Sequence, residues 1–184
     1  FLTLIIRYTF FKKNWYTLIM KILITGAAGF IGFNLSNFLL KISNHKIIGI
    51  DNLNDYYSVT LKKKRLAVIK KSKKFIFLKI DINNKKNVEE VFKKYKFDIV
   101  FNLAAQAGVR YSIDNPTAFV ENNILGFYNI LDASIKYKVK KLLYASSSSV
   151  YGDSNNFPLK EGNKIAPKNI YGLSKKINEE ISQV

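Results

Sequence analysis

The chain has 184 residues, about one domain's worth of sequence, with no cysteine, a single histidine and a formal net charge of +17. The absence of cysteine excludes disulfides, thiolate catalysis and cysteine-ligated metal sites, and a single histidine cannot build a multi-histidine metal centre. We therefore expect a protein of a reducing compartment, the cytoplasm, with no bound metal and with acid–base chemistry carried by groups other than histidine.

The positive charge comes almost wholly from lysine, because the chain has 27 lysines and 3 arginines. Nucleic-acid surfaces recruit arginine for bidentate contacts, whereas these lysines are scattered and do not alternate with aromatic residues. The most abundant residue types have A/T-rich codons, so codon bias explains the charge better than a polyanion site does. We expect neither nucleic acid nor membrane as a partner, with a basic nucleic-acid or membrane binder as the alternative.

Residues 1–19 are apolar and aromatic, but three basic residues interrupt them, so no run is long enough to span a bilayer. No small-residue cleavage site follows, which disfavours a signal peptide. Met20, the only methionine, directly precedes the first predicted strand. We interpret residues 1–19 as an upstream extension and residues 20–184 as the folded domain, with a membrane-surface anchor as the alternative for the extension.

From residue 21 onward, short apolar runs alternate with segments of helical apolar spacing. The predicted strands are 21–25, 46–50, 75–80, 98–103 and 141–145. The predicted helices are 33–41, 59–70, 88–95, 116 to about 137, and one that begins near Asn169. Because this alternation implies right-handed crossovers, the sequence predicts an α/β fold with a doubly wound parallel sheet, Rossmann-like.

Three glycines, Gly26, Gly29 and Gly32, separate the first strand from the first helix. Such a turn lets the backbone approach a pyrophosphate, whose charge then lies at the helix N-terminus among free N–H groups. Asp51 ends the second strand 19 residues after Gly32, where a carboxylate binds ribose hydroxyls and repels a 2′-phosphate. Since the three residues after Asp51 include no arginine, NAD is favoured over NADP; a glycine turn beside a capping aspartate is the alternative.

Tyr171 and Lys175 are four residues apart in the last predicted helix and therefore lie on one helix face. An ammonium near a phenol favours the phenolate, which makes tyrosine a usable base where histidine is lacking. Ser147 follows the fifth strand, at the edge of the sheet where open α/β folds bind ligands. We predict these three residues as catalytic, although the tyrosine–lysine spacing alone is more typical of a solvated helix face.

Four stretches together resemble the extended short-chain dehydrogenase/reductases, the NAD-dependent sugar-nucleotide epimerases and dehydratases. These stretches are residues 25–32, 102–105, 146–152 and 171–175. Residues 51–57 with Leu61 and Arg65, followed by residues 105–112, are most similar to UDP-glucuronate 4-epimerases. Family members continue into a smaller C-terminal region that binds the nucleotide sugar, so we expect a chain truncated before that region.

The resemblance assigns a residue set to NAD and another to the substrate. The implied cofactor-binding residues are Gly26, Gly29, Phe30, Ile31, Gly32, Asp51, Asn52, Asn54, Asp81, Ile82, Leu103, Ala104, Ala105, Gln106, Asn122, Tyr171 and Lys175. Ser147 and Ser148 are the implied substrate contacts. Arg110 is our candidate partner for a sugar carboxylate, with a structural arginine that binds backbone carbonyls as the alternative. Ser148 and Ser149 stand where the family's 4,6-dehydratases carry an Asp–Glu pair, which argues against dehydration.

The implied activity is the redox epimerisation of a UDP-hexuronate, UDP-glucuronate to UDP-galacturonate. UDP-glucose 4-epimerase and UDP-glucuronate decarboxylase are alternatives, and a non-catalytic NAD-binding protein is an alternative of another class. In the implied mechanism Tyr171 takes the proton of the 4-hydroxyl, the hydride passes to NAD⁺, and the 4-keto sugar rotates and takes the hydride back. Family analogy also makes the predicted helix 116–137 a homodimer surface. His45 matches no part of this scheme, and we expect it in a surface loop.

Overall fold

Five parallel strands form a single sheet in the order β3-β2-β1-β4-β5, in a computed structural model that describes residues 19–154 and 157–184. The strands are β1 Lys21–Thr25, β2 Lys46–Asp51, β3 Phe75–Lys79, β4 Ile99–Asn102 and β5 Lys141–Tyr144. The strand order reverses between β1 and β4, and ligands of open α/β folds bind at such a reversal, beyond the carboxyl ends of the strands. The predicted doubly wound parallel fold is confirmed, whereas residues 1–18 of the predicted extension lie outside the described residues.

Helices cover both faces of the sheet. They are α1 Phe30–Ile42, α2 Val59–Ile69, α3 Lys85–Tyr95, α4 Tyr111–Asp114, α5 Pro116–Phe119, α6 Gly126–Lys136 and α7 Ile170–Ile181. A π-helical segment, Val120–Leu125, joins α5 to α6, and a 3₁₀ turn occupies Ser148–Tyr151. Within the described part of the chain, no helix combines the length and hydrophobicity needed to cross a membrane.

The central strand β1 explains why the sequence shows apolar runs rather than alternation. Ile22, Leu23 and Ile24 are all fully buried, because helices cover both faces of a parallel sheet. Successive side chains point to opposite faces, so Ile22 and Ile24 belong to the core beneath α1 and α2. Leu23 belongs to the opposite core, with Phe92 of α3 and Ile130 of α6. The two cores fix β1 rigidly, and the turn that follows it is therefore held in place.

His45 is buried, so the expectation of a surface loop residue is wrong. Its side chain is 1% exposed, and its Nδ1 accepts a hydrogen bond from the backbone N–H of Met20 at 3.3 Å. The backbone N–H of Lys46 in turn donates to the carbonyl of Met20 at 2.9 Å. Burial lowers the pKa of His45, although Asp98 acts in the opposite direction. His45 thus secures the start of β1, a long-range role that its loop position conceals.

Candidate functional site

A cleft opens above β1 at the carboxyl edge of the sheet, and most of the predicted cofactor residues line it. Those in its wall are Gly26, Gly29, Asp51, Asn52, Asn54, Ile82, Leu103, Ala104, Ala105, Gln106 and Asn122. Asp81 lines the adjoining part of the same opening, together with Asn52 and Asn122. The structure therefore brings together residues that follow four different strands, as a ligand site at a topological switch point requires.

The glycine turn is shaped by two close backbone approaches. Gly26 has φ +65°, and a Cβ there would lie 2.9 Å from the backbone nitrogen of Ala104. A Cβ on Gly32 would lie 2.2 Å from the carbonyl oxygen of Gly26, so neither position accepts a side chain. Phe30, Ile31 and Gly32 form the first turn of α1 and do not line the cleft, and the Phe30 side chain is 70% exposed. Any contribution of these three residues to a ligand would come from their backbone N–H groups.

Thr25, which the sequence analysis did not single out, joins β1 to the loop after β4. Its Oγ1 accepts hydrogen bonds from the backbone N–H groups of Leu103 at 3.0 Å and Ala104 at 2.9 Å. The same hydroxyl donates to Oδ1 of Asn102 at 2.6 Å, and the Thr25 side chain is fully buried. One hydroxyl thereby fixes the loop that packs against Gly26.

Asp51 is held against the glycine turn by backbone donors. Its Oδ2 accepts from the N–H of Ala28 at 3.0 Å and its Oδ1 from the N–H of Leu53 at 2.8 Å. Each carboxylate oxygen can accept more than one hydrogen bond, so Asp51 retains capacity for ligand hydroxyls. The carboxylate is therefore oriented before a ligand arrives.

Two cations of α2 reach this wall, and the sequence analysis missed one of them. Lys62 lines the cleft, is 4% exposed and donates to the backbone oxygen of Asn54 at 2.8 Å and to its Oδ1 at 2.6 Å. Burial lowers the pKa of Lys62, while the charges of Asp51 and Asp55 oppose that effect. Arg65 donates from Nη1 to the Tyr57 hydroxyl at 3.1 Å. Nothing in the basic run 62–65 distinguishes Lys62 from its neighbours, because its burial depends on tertiary contacts.

A series of hydrogen bonds links Asn52 to Asn122 at one end of the cleft. Nδ2 of Asn52 donates to Oδ2 of Asp81 at 2.9 Å, and Oδ1 of Asp81 accepts from the N–H of Asn83 at 2.8 Å. Nδ2 of Asn83 donates to Oδ1 of Asn122 at 3.3 Å, and Asn122 donates to the carbonyl of Ala118 at 2.7 Å. Asp81 and Asn122, two of the predicted cofactor residues, are thus members of one network.

Lys175 is buried beneath the loop that follows β5. Its side chain is 6% exposed, and Nζ donates to the carbonyl of Ala145 at 3.0 Å. Burial lowers the pKa of Lys175 from 10.5 to about 8. A buried ionisable group with so large a shift is a mark of functional sites. Tyr171, one turn earlier on α7, packs edge-on against the fully buried ring of Phe119 at 6.0 Å.

Asn123 connects the cleft wall to α7. Its Oδ1 accepts from the N–H of Gln106 at 2.7 Å, and its Nδ2 donates to the carbonyl of Gln106 and to Oγ of Ser174, both at 3.0 Å. Asn123 lies in the π-helical segment and is 1% exposed. The sequence analysis missed it, and the only signal was a pair of asparagines inside an otherwise apolar helical pattern.

The predicted catalytic and substrate residues lie beside the cleft rather than in its wall. Ser147 precedes the 3₁₀ turn, where its Oγ accepts from the N–H of Ser149 at 3.2 Å, and Ser148 is exposed. Arg110 is exposed, and its guanidinium makes no hydrogen bond or ion pair with the residues that the structure describes. The alternative of an arginine that binds backbone carbonyls is therefore not seen among those residues.

Comparison with known proteins identifies the family to which the chain belongs. A family model described as GDP-mannose 4,6 dehydratase matches residues 23–184. The chain belongs to this family of extended short-chain dehydrogenase/reductases. The family resemblance that the sequence motifs indicate is thereby confirmed.

Several relatives within this family have known names or structures. Protein CapI of Staphylococcus aureus is 48% identical over 87% of this chain and 48% of that protein. The UDP-glucuronate 4-epimerase of Thermodesulfobacterium geofontis is 44% identical over 87% of this chain and 49% of that protein. The solved UDP-glucuronic acid 4-epimerase from Bacillus cereus, in complex with UDP-glucuronic acid and NAD, is 34% identical with a TM-score of 0.82, covering 89% of this chain and 51% of that one. The chain therefore spans about half the length of these relatives.

Replacing Thr25 by valine should destabilise this member of the family, because valine keeps the shape but removes the acceptor for two backbone N–H groups. We expect a loss of about 2 kcal/mol in the free energy of unfolding. The matched control is Thr60→Val on the exposed face of α2, which should change it by less than about 0.5 kcal/mol. Urea denaturation measures both, and equal effects of the two variants would contradict the role of Thr25.

The buried Lys175 should make stability depend on alkaline pH. Between pH 8 and 10.5 the unfolded chain binds a proton that the folded chain has lost, so the free energy of unfolding rises with pH. The total rise corresponds to on the order of 3 kcal/mol. Lys175→Met should remove the contribution of Lys175 to this rise in denaturation curves taken from pH 7.5 to 10.5, whereas Lys176→Met, which removes a lysine paired with Glu180 at 3.4 Å, should retain it. A Lys175→Met profile that matches wild type would contradict the assigned pKa.

Proposed function

We propose that the protein carrying this chain is an NAD-dependent UDP-glucuronate 4-epimerase. The observation that carries the proposal is the buried Lys175, which shares a face of α7 with Tyr171 at the same sheet edge as the glycine turn and Asp51. Redox chemistry on a sugar hydroxyl needs a base and a dinucleotide within reach of one another, and this edge offers residues for both. Because the chain spans about half of its relatives, the proposal concerns the complete gene product.

The residues fit a dinucleotide. Gly26 and Gly32 permit a tight turn in which a Cβ would collide with the backbone, and Asp51 is oriented to accept hydrogen bonds from ribose hydroxyls. The N-terminus of α1 has no acidic residue in its first turn and no side-chain cap, so its N–H groups suit a pyrophosphate. The Asp51 carboxylate disfavours a 2′-phosphate, and the neighbouring Arg65 and Lys62 are already hydrogen-bonded to protein groups. These features support NAD rather than NADP, and bound NAD would supply the hydride acceptor and donor.

Three side chains would handle the proton and the sugar oxygen. Tyr171 removes the proton of the 4-hydroxyl, and Lys175, charged below a pKa of about 8, favours the phenolate that this step needs. Ser147 donates a hydrogen bond to the sugar oxygen as the 4-keto intermediate forms and collapses. When the keto sugar presents its other face, Tyr171 returns the proton and the inverted hydroxyl results.

The sugar carboxylate would bind Arg110. The guanidinium is exposed at the start of α4 and is not engaged by the described part of the protein, and a bidentate arginine contact suits a hexuronate. A second candidate is a UDP-glucose 4-epimerase, favoured by the solved enzyme from Thermotoga maritima, 31% identical with a TM-score of 0.79. Serines at positions 148 and 149 cannot supply the carboxylates of an elimination, so they oppose a dehydratase.

The complete gene product should convert UDP-glucuronate to UDP-galacturonate without net change in NADH, as followed by chromatography of the nucleotide sugars. Tyr171→Phe should lower kcat by on the order of 10²- to 10⁴-fold, because it removes the proton-transfer group. Tyr95→Phe, which deletes a hydroxyl on α3, is the matched control and should leave kcat unchanged.

The outcomes separate the alternatives. Turnover of UDP-glucose instead of UDP-glucuronate would overturn the substrate assignment but leave the fold, cofactor and base in place. Turnover of neither, with NAD binding unaffected by Tyr171→Phe, would favour the non-catalytic alternative. If the protein binds polyanions with an affinity that falls steeply with salt and is unchanged in Tyr171→Phe, the basic nucleic-acid or membrane binder would be favoured.

We also propose that the complete protein is a homodimer that packs through the helical stretch 116–136. Val120, Leu125, Tyr128 and Ile135 along this stretch are all exposed apolar residues, and Ile135 is 71% exposed. Burying such a row against a second copy removes apolar surface from water. Analytical ultracentrifugation should show a dimer for wild type and a monomer for Tyr128→Glu/Ile135→Glu, and a dimer in both would overturn this surface.

A further inference from the structure

The segment that follows β2 forms part of the lining of the cleft. It leaves the sheet at Asp51, turns at Leu53, whose φ is +56°, and carries Tyr56 and Tyr57, both of which line the cleft. We call residues 52–57 the strap. Tyr57 contacts Lys62 and Arg65 of α2, and Tyr56 contacts Tyr111 after β4.

Hydrogen bonds and a cation–π contact attach the strap to α2. Lys62 donates two hydrogen bonds to Asn54, and its Nζ lies 4.4 Å from the centre of the Tyr57 ring. Arg65 donates to the Tyr57 hydroxyl at 3.1 Å. Since Lys62 is 4% exposed, its two bonds to Asn54 are partly shielded from water, whereas the bond from Arg65 to Tyr57 is exposed.

On the far side the strap meets the loop after β4. The ring of Tyr56 lies 4.9 Å from the ring of Tyr111, and a Cβ on Gly108 would lie 2.7 Å from the Tyr56 hydroxyl. Gly108 has φ +105°, so both its backbone conformation and the nearby Tyr56 hydroxyl disfavour a side chain at this position. The ring centres of Tyr111 and Phe119 are 6.1 Å apart, and Phe119 is fully buried. The hydrophobic core therefore supports the contact between Tyr56 and Tyr111.

The strap also contacts the second of the two stretches on which the resemblance to UDP-glucuronate 4-epimerases rests. Residues 51–57 supply the strap, and residues 105–112 supply Gly108 and Tyr111. These stretches are separated by almost 50 residues of chain, yet their contact is direct in the folded protein. The two stretches therefore form one structural unit beside the cleft.

We propose that the strap retains the dinucleotide, with Tyr56 as the residue that keeps it closed against Tyr111. The inference rests on the proposed function. An epimerase that transfers a hydride from the sugar to NAD⁺ must hold its cofactor until the hydride is returned. The glycine turn and Asp51 lie in the same cleft wall as the two strap tyrosines, so a dinucleotide seated there leaves only when Tyr56 separates from Tyr111. Tyr56 is a positioning residue and takes no part in the chemistry.

The test measures the dissociation of bound NADH from the complete gene product by stopped-flow fluorescence with excess NAD⁺ as the chase. Tyr56→Ala should accelerate dissociation about tenfold, because it removes the aromatic contact that closes the strap. Tyr56→Phe keeps the ring and should stay within about twofold of wild type. Phe38→Ala, which removes an exposed ring on α1 away from the cleft, is the matched control and should have no effect.

A double-mutant cycle with Tyr111→Ala separates retention from general damage. If the two rings act as one closure, the double variant should dissociate no faster than either single variant, and the coupling should account for most of the tenfold effect. Urea denaturation of the cofactor-free Tyr56→Ala variant should show a loss no larger than about 1.4 kcal/mol, the free energy of a tenfold change, since Tyr56 is 43% exposed. Additive effects of the two substitutions would overturn the closure.

Failure of the strap is distinguishable from failure of the proposed function. Normal NADH binding with an unchanged dissociation rate in Tyr56→Ala would overturn the strap and leave the epimerase proposal intact. A wild-type protein that binds neither NAD⁺ nor NADH would overturn both.

Discussion

The site depends on the close approach of two backbones, the turn after β1 and the loop after β4. Thr25 makes this approach possible, because its one hydroxyl satisfies two N–H groups of the loop and ties them to Asn102. Gly26 then meets the loop at a separation that no Cβ would permit. The polar groups brought together here are buried and mutually satisfied, which is the condition under which a hydrogen-bond network gives rigidity rather than instability. The cleft wall is therefore held by the protein's own hydrogen bonds.

Local patterns were enough to predict the strands, the glycine turn and the helix α7. The apolar runs of β1 and β2 gave their positions, since strands covered on both faces carry continuous hydrophobic sequence. The spacing of Tyr171 and Lys175 required only that their segment be helical. Such features follow from neighbours in sequence, which is why a single sequence sufficed.

What could not be predicted depends on residues distant in sequence. Lys62 and His45 have ordinary polar surroundings in the chain, and only tertiary packing buries them. The helix α4 was missed because four residues are too short for periodicity to show. Asn123 looked like an interruption of an amphipathic pattern, and its bonds to Gln106 and Ser174 arise only when α7 packs beside the π-helical segment.

The π-helical segment Val120–Leu125 has a consequence for how this protein can vary. A π-helix holds about one more residue per turn than an α-helix, which shifts the backbone hydrogen-bond pattern. In this register Asn122 lines the cleft, and Asn123 is buried against α7. Deleting one residue there would restore α-helical hydrogen bonding and rotate everything before it by about 100° relative to α6. The length of this segment is thus constrained in addition to its composition: an exchange of an exposed side chain such as Val120 keeps the register, whereas a change of length would separate the cleft wall from α7.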